Sequence, residues 1–432
     1  MNSKIQSDIK ELVEQQVISQ ESASKIEAYY QSKKVNTPNR LFTVFGVLGS
    51  LLVGLGIILI LAHNWDDFSK ATKTFFAFLP LVIGQIFVGF SILKHKSAVR
   101  KEASGTFLFF AVGSAISLIS QIYNIPGNFS SFLLTWMLLC VPLIYLLRSH
   151  ALAILHVVFM TYYAADLGYS FISNGQTPWF YLLLLALVLP HYGQLLKHKT
   201  NANITSIFNW LLPLSVTIVL GAFVDNMDAF GVLMYVVLFG LLYNIGKIPL
   251  FNDQKLRRNG YLVLGALGTM YMLILTSFDW LWEDIIRNTL AYNSQEFYIS
   301  VVLFVITTGI LVYSFSKKWV AAFNLSHYAF LIFTVIFFIG FDNKFIPLTL
   351  INLLILMIAL ITIKIGADKF HFGILNYGLL IIAVLIICRF FDTDMSFVIR
   401  GLLFVGFGLG FFLANYLMLK KQRENKGELK KQ

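Results

Sequence analysis

The chain runs to 432 residues, 57% of them apolar and only 13% charged, with a formal net charge of +11. A soluble domain carries roughly a quarter of its residues as Asp, Glu, Lys and Arg. Half that supply, with the apolar residues gathered into long blocks, excludes an ordinary water-soluble globule.

The first forty residues are polar. "SKIQSDIKELVEQQ" sets Ile5, Ile9, Leu12 and Val13 near helical spacing. "SQESASKIEAYYQSKK" offers Ser19 as an N-cap with Glu21 in the first turn. Pro38, in "VNTPNR", stops the pattern. Residues 1–40 read as a cytoplasmic helical hairpin and linker. Residues 3–34 would dock a cytoplasmic protein partner or lie as an amphipathic collar on the lipid bilayer. The first apolar block is too long for a secretory h-region and lacks a small-residue cleavage site, so an uncleaved span is expected.

Apolar blocks then follow near 41–62, 74–93, 105–122, 132–147, 151–168, 179–196, 207–224, 229–245, 261–278, 298–315, 319–340, 346–363, 371–388 and 397–418. Each approaches the ~20 residues that carry a helix across hydrocarbon. Backbone groups in lipid must bond within their own segment, and a barrel would alternate apolar with polar residues. The expected fold is all-α: a polytopic helical transmembrane bundle of about 14 spans (12–14). Residues 41–168 hold spans 1–5, residues 169–418 hold spans 6–14, and 419–432 form a basic cytoplasmic tail. The count is weakest at the third block, rich in small and hydroxyl residues, and between the fourth and fifth, parted only by "RSH".

Charge gives an independent reading of the sides. With the amino-terminal tail, the even-numbered loops and the carboxy-terminal tail on one side, 27 of the 33 Lys and Arg fall there, leaving 6 opposite. The acidic residues divide 10 to 12, so the two sides carry +17 and −6. Cations are held on the cytoplasmic side of short loops, which puts both termini in the cytoplasm. The +11 is then a topology signal, with basic clusters meeting anionic headgroups; nucleic acid is not an expected partner.

In chain order, the polar and small residues worth attention begin with Gly46, Ser50 and Gly54 in the first span, matched by Gly406 and Gly410 in the last. Small residues four apart let helix backbones approach closely. "LAHNWDDFSKATK" (Leu61–Lys73) emerges on the outer side. Trp65 suits an interfacial anchor, Asn64 a cap on the ending helix, and Asp67 or Ser69 a cap on the next. Gln85 lies inside the second span, and Ser117, Gln121 and Asn124 share a face near the outer end of the third, with Tyr123 beside them. Asp166 closes the fifth span, also outside. Intramembrane amides and carboxylates face protein or a watery cavity, so Asn64, Asp66, Asp67, Gln85, Gln121, Tyr123 and Asp166 are the candidate polar cavity. In the longest outer loop, Trp280, Leu281, Ile285, Ile286 and Leu290 would line one helix face, with Trp280 and Trp282 as interfacial anchors. Cys140 and Cys388 each lie in an apolar block and form no metal-ligand spacing and no disulfide framework.

Four stretches resemble a known family: "LVEQQVISQESASKI", "LGIILILAHNWDDFSKATK", "AISLISQIYNI" and "LIYLLRSHALAIL". They are similar to prokaryotic membrane proteins with domain of unknown function 2157, over about the first 160 residues. The Asn64–Trp65 and Gln121-x-Tyr123 pairs are the most specific marks. The resemblance implies a bacterial multi-span protein with no established activity, substrate or cofactor.

On function, many spans, scattered amides and Gly-interrupted helices favour a transporter-like protein of the inner membrane. Mid-span Asp, Glu, Lys and Arg are nearly absent, which suits a neutral or amphipathic solute. A non-transporting scaffold, sensor or assembly partner ranks next. An enzyme on lipid-linked substrates ranks third, because His63, Asp66 and Asp67 lack a second histidine and no catalytic motif or phosphate-binding loop occurs. No cofactor and no metal are expected.

Overall fold

In the computed structural model the described residues are 9, 11–34, 65–169, 175–224, 229–287, 290–319, 324–340, 344–392 and parts of 398–420. The first expected span, with Gly46, Ser50, Gly54 and Asn64, lies outside them, as does most of the basic tail.

The chain divides into two units, Met1–Phe76 and Ala77–Gln432. In the first, residues 11–14 are helical, residues 15–18 turn, and α1 (Gln20–Lys34) follows. Ser19 caps α1, its hydroxyl accepting from the Ser22 amide at 3.2 Å. Glu21 and Lys25, one turn apart, pair at 2.7 Å. Further on, Ser69 caps α2 (Lys70–Leu93) by accepting from the Thr72 amide at 3.2 Å, so Ser69 and not Asp67 takes that role.

The second unit is helical throughout its described residues. After α2 come α3 (Ala98–Tyr123), α4 (Phe129–Leu147), α5 (His150–Gly168), α6 (Phe180–His198), α7 (Asn203–Leu220) and α8 (Ala229–Gly246). These are followed by α9 (Gly260–Leu275), α10 (Asp279–Arg287), α11 (Gln295–Ser316), α12 (Ala329–Ile339), α13 (Phe345–Asp368) and α14 (Phe372–Asp392). Ten helices among the described residues are long and apolar enough to cross a membrane, and α9 and α12 are shorter apolar ones. These twelve coincide with the second to thirteenth expected spans. The "RSH" junction is a true reversal: Arg148 ends α4 in a left-handed conformation (φ 51°) and Ser149 caps α5 by accepting from the Leu152 amide. Asn128, Asn259 and Ser294 start α4, α9 and α11 in the same way.

Expectation and structure part at the lengths of α9 and α12. α9 has 16 residues and α12 only 11, so they rise about 24 Å and 16 Å, against ~30 Å of hydrocarbon. Part of the eleventh block is instead the turn Leu325–His327, which precedes α12.

Two cores hold this unit together. One gathers around α5, where Ala153, Val157, Met160 and Ala164 are fully buried against Leu184 of α6 and Phe208 of α7. The other surrounds α8, 83% of whose spanning window is buried, against 22% for α2 and α11. Lipid is as apolar as leucine, so such helices are held by close packing rather than by escape from water. At α8 and α9 that closeness requires glycine: a Cβ at Gly265 would sit 2.6 Å from the Tyr243 Cα, and one at Gly246 2.6 Å from the Leu262 Cα. At the small-residue pair read from the last span, a Cβ at Gly406 or Gly410 meets nothing within 4 Å among the described residues. The tight seam among the described residues is therefore Gly246–Gly265. Outward faces are oily, as lipid demands: Val301, Val305 and Val312 of α11 are 44%, 63% and 61% exposed.

Side-chain bonds tie helix ends and turns together at the two ends of these helices. At one end, Glu102 before the body of α3 accepts from the amides of His150 (2.8 Å) and Ala151 (3.1 Å), and Arg258 donates to Asn203 (2.9 Å). At the other, Ser130 donates to Asp166 (2.6 Å), Thr177 to Gln295 (3.3 Å), and Lys344 to Asp279 (3.0 Å) and Glu283 (2.6 Å). Each pair joins helix ends or turns that adjoin loops of the same odd or even set.

Candidate functional site

Helices α2, α3 and α4 frame an open cleft of about 1390 Å³. Gln85 stands midway along α2, where the second apolar block is interrupted. From the last turns of α3 come Ser117, Ser120 and Gln121; from the start of α4 come Asn128, Ser131 and Thr135. Ser117 and Gln121 are one helical turn apart, as are Ser131 and Thr135, so each pair shares a face. Toward the other end the wall turns apolar, with Val88 and Ile92 of α2, Leu108 of α3, and Leu143 and Leu146 of α4. Among the described residues, none that lines the cleft is charged.

Several of these polar groups are fixed in place. The Asn128 carboxamide oxygen accepts from the Ser131 amide at 2.8 Å, the Thr135 hydroxyl donates to the Ser131 carbonyl at 2.8 Å, and the Ser120 hydroxyl donates to the Ile125 carbonyl at 3.0 Å. Asn124, expected on the Ser117–Gln121 face, instead ends α3 in a left-handed conformation (φ 52°), a role a short amide tolerates well. Behind the cleft, Trp136 donates its indole N–H to the Phe109 carbonyl at 2.7 Å and packs tilted against Phe109 and edge-on against Phe159, which stiffens the α3–α4 wall.

The candidate polar residues thus separate. Gln85 and Gln121 line the cleft together. Tyr123 is half-exposed and Asp166 accepts from Ser130, and neither lines the cleft. Asp66 and Asp67 are exposed turn residues of the first unit, where Trp65 packs edge-on to Phe68 (6.5 Å) under Lys73. Sequence reading missed Ser120, Asn128, Ser131 and Thr135; the signal available was the repeat of hydroxyls and amides one turn apart near the α3–α4 turn.

Other intramembrane polar residues turn out to be structural. His156 bonds the Leu184 carbonyl at 3.0 Å, Asn209 accepts from the Tyr192 hydroxyl at 2.7 Å, and Asn244 bonds His327 at 2.8 Å. Each of these buried polar groups has a hydrogen-bond partner within the protein.

Of the tryptophans read as interfacial anchors, Trp280 is 53% exposed and Trp282 is fully buried. Trp282 donates to the Thr276 carbonyl at 2.7 Å and packs against Phe337 of α12. The amphipathic face of α10 meets protein as well as the interface, so Trp282 belongs to the core.

The fold and the cleft define a multi-pass helical membrane protein. Residues 10–153 match the family described as predicted membrane protein (DUF2157), which bears out the resemblance of the amino-terminal third. No curated protein and no solved structure matches the chain.

Proposed function

We propose that this is a transporter-like protein of the bacterial inner membrane that takes a neutral, amphipathic molecule into the α2–α3–α4 cleft. The observation that carries the reading is the graded, uncharged lining: amides and hydroxyls at one end, aliphatic side chains at the other. Glutamine both donates and accepts, so Gln85 and Gln121 suit hydroxyl, ester or amide headgroups, while the aliphatic end suits a hydrocarbon tail. A charged headgroup would lose its water without meeting a counter-charge there, a costly transfer. The sorting of Lys and Arg supports both termini facing the cytoplasm. The protein acts by binding and moving its ligand rather than by catalysis.

Native mass spectrometry of the detergent-released protein tests this, using a long-chain monoacylglycerol and an alkyltrimethylammonium of equal chain length. The monoacylglycerol is expected to be retained preferentially, and the paired substitutions Gln85→Leu and Gln121→Leu to weaken retention about ten-fold, the worth of one or two lost hydrogen bonds. Equal retention of both probes, or a doubly substituted protein that binds as well as the parent, rejects the reading.

A further inference from the structure

A second cavity, of about 250 Å³, opens among α8, α9, α13 and α14, away from the cleft. Its wall is apolar along Leu256, Leu267 and Ile374, and its charged lining residues are both cations. Lys247 follows the last turn of α8 and Lys369 follows the last turn of α13, and both line the cavity. Among the described residues the ion pairs are Lys25–Glu21 and those of Lys344 with Asp279 and Glu283, so neither cavity lysine has a carboxylate partner. The Lys247 ammonium instead lies 5.6 Å from the centre of the Tyr243 ring. Two like charges lining a partly desolvated space raise its positive potential.

A second observation points the same way. Thr269 of α9 lines this cavity, is 3% exposed, and its hydroxyl has no hydrogen-bond partner. A helical threonine ordinarily satisfies itself on the preceding turn, as Thr276 does on the Met272 carbonyl at 2.9 Å. Asn324 and Ser326 add polar atoms on the α12 side, where the Asn324 side-chain amide donates to the Tyr243 hydroxyl at 2.6 Å.

We infer that the cavity between Lys247 and Lys369 binds a phosphate-type anion, free or as the headgroup of an anionic lipid. A tetrahedral oxyanion offers several acceptor oxygens at once, matching two ammonium groups and a hydroxyl donor. The remaining volume, walled by Leu256, Leu267 and Ile374, accommodates the first atoms of an ester arm. This site is independent of the cleft, since it shares none of its lining residues.

The test uses the full chain in detergent and follows thermal unfolding with inorganic phosphate, dioctanoyl phosphatidic acid or dioctanoyl phosphatidylcholine. Phosphate or phosphatidic acid is expected to stabilise the protein, and Lys247→Met and Lys369→Met each to weaken that effect about ten-fold, as loss of a charge-assisted bond does. Lys317→Met, whose lysine sits over Tyr313 outside the cavity, serves as the control and leaves binding unchanged. Stabilisation by phosphate alone identifies a soluble anion; stabilisation by phosphatidic acid without phosphate identifies a headgroup. Should Lys247→Met fail to fold, the exposed Lys369 keeps the test intact. No response to either anion, an equal response to phosphatidylcholine, or full binding in the lysine variants overturns the inference.

Discussion

Replacing Gly265 with alanine probes how the most buried helix is held. The added methyl carbon would lie 2.6 Å from the Tyr243 Cα and closer still to the Tyr243 backbone nitrogen. Carbon atoms rest about 3.5–4.0 Å apart, so α8 and α9 must part by roughly 1 Å. Neither contact atom belongs to a flexible side chain, and the neighbouring approach of Gly268 to Phe239 ties the same seam. Overpacking of this kind costs about 1–3 kcal/mol, and the backbone contact places Gly265→Ala toward the upper end. Gly309→Ala on α11 is the matched control: a methyl there meets nothing within 4 Å, and removal of a helix-interior glycine stabilises by up to about 1 kcal/mol. Equilibrium unfolding of the purified protein in mixed micelles, followed by tryptophan fluorescence, reads both. Unchanged stability in Gly265→Ala, or equal losses in the two variants, would refute the backbone-contact argument.

Trp282→Ala removes a fully buried indole and its bond to Thr276, so a loss of about 3–5 kcal/mol is expected; Trp280→Ala, more than half exposed, should cost far less in the same unfolding assay. For sidedness, single cysteines at Lys199 and Lys255 should react with an impermeant maleimide from one face of inverted vesicles, and cysteines at Tyr123 and Tyr292 only from the other; mixed accessibility would break the alternation. Burial, helped by the nearby Lys369 charge, pulls the Lys247 ammonium down to about 8 from 10.5. Its groups in view are Tyr243 on its own helix, Lys369 from α13, Tyr377 from α14 and His327 from the turn before α12. A lysine whose folded value is lowered carries its full penalty below about pH 8, and that penalty fades as pH rises toward 10.5, so the anion-free protein should gain stability over that interval. Anion affinity should run oppositely, weakening as pH rises past 8; affinity flat from pH 7 to 9.5 would remove Lys247 from the site.

Span placement was legible because lipid imposes one rule on every crossing, and twelve apolar blocks each contain a helix, although α3 starts seven residues before its block and α12 ten residues into its own. Lysine and arginine in short loops give the sequence its expectation of sidedness, which the accessibility measurement above tests. Contacts between distant segments left weaker traces. Gly406 and Gly410 have the spacing of a packing motif, yet spacing cannot say whether a partner helix arrives, whereas Gly246 and Gly265 lie in separate helices and form no motif. Trp282 has the sequence position of an interfacial residue, and only the fold shows α12 and Thr276 covering it. Gln85 and Gln121 were readable as costly intramembrane amides, but their shared wall depends on how α2 and α3 lean together. Lys247 and Lys369 each looked like an ordinary loop cation until the fold placed them in one cavity.

The cleft itself is tested most directly by mapping where a ligand sits. A photoactivatable monoacylglycerol, reactive near the ester, would be irradiated with the protein in nanodiscs and its adducts located by peptide sequencing. Adducts concentrated on Gln85, Ser117, Gln121 and Ser131, competed away by unlabelled monoacylglycerol, are the expected result. Adducts scattered equally over lipid-facing positions such as Val301, Val305 and Val312, and unaffected by competitor, would contradict it.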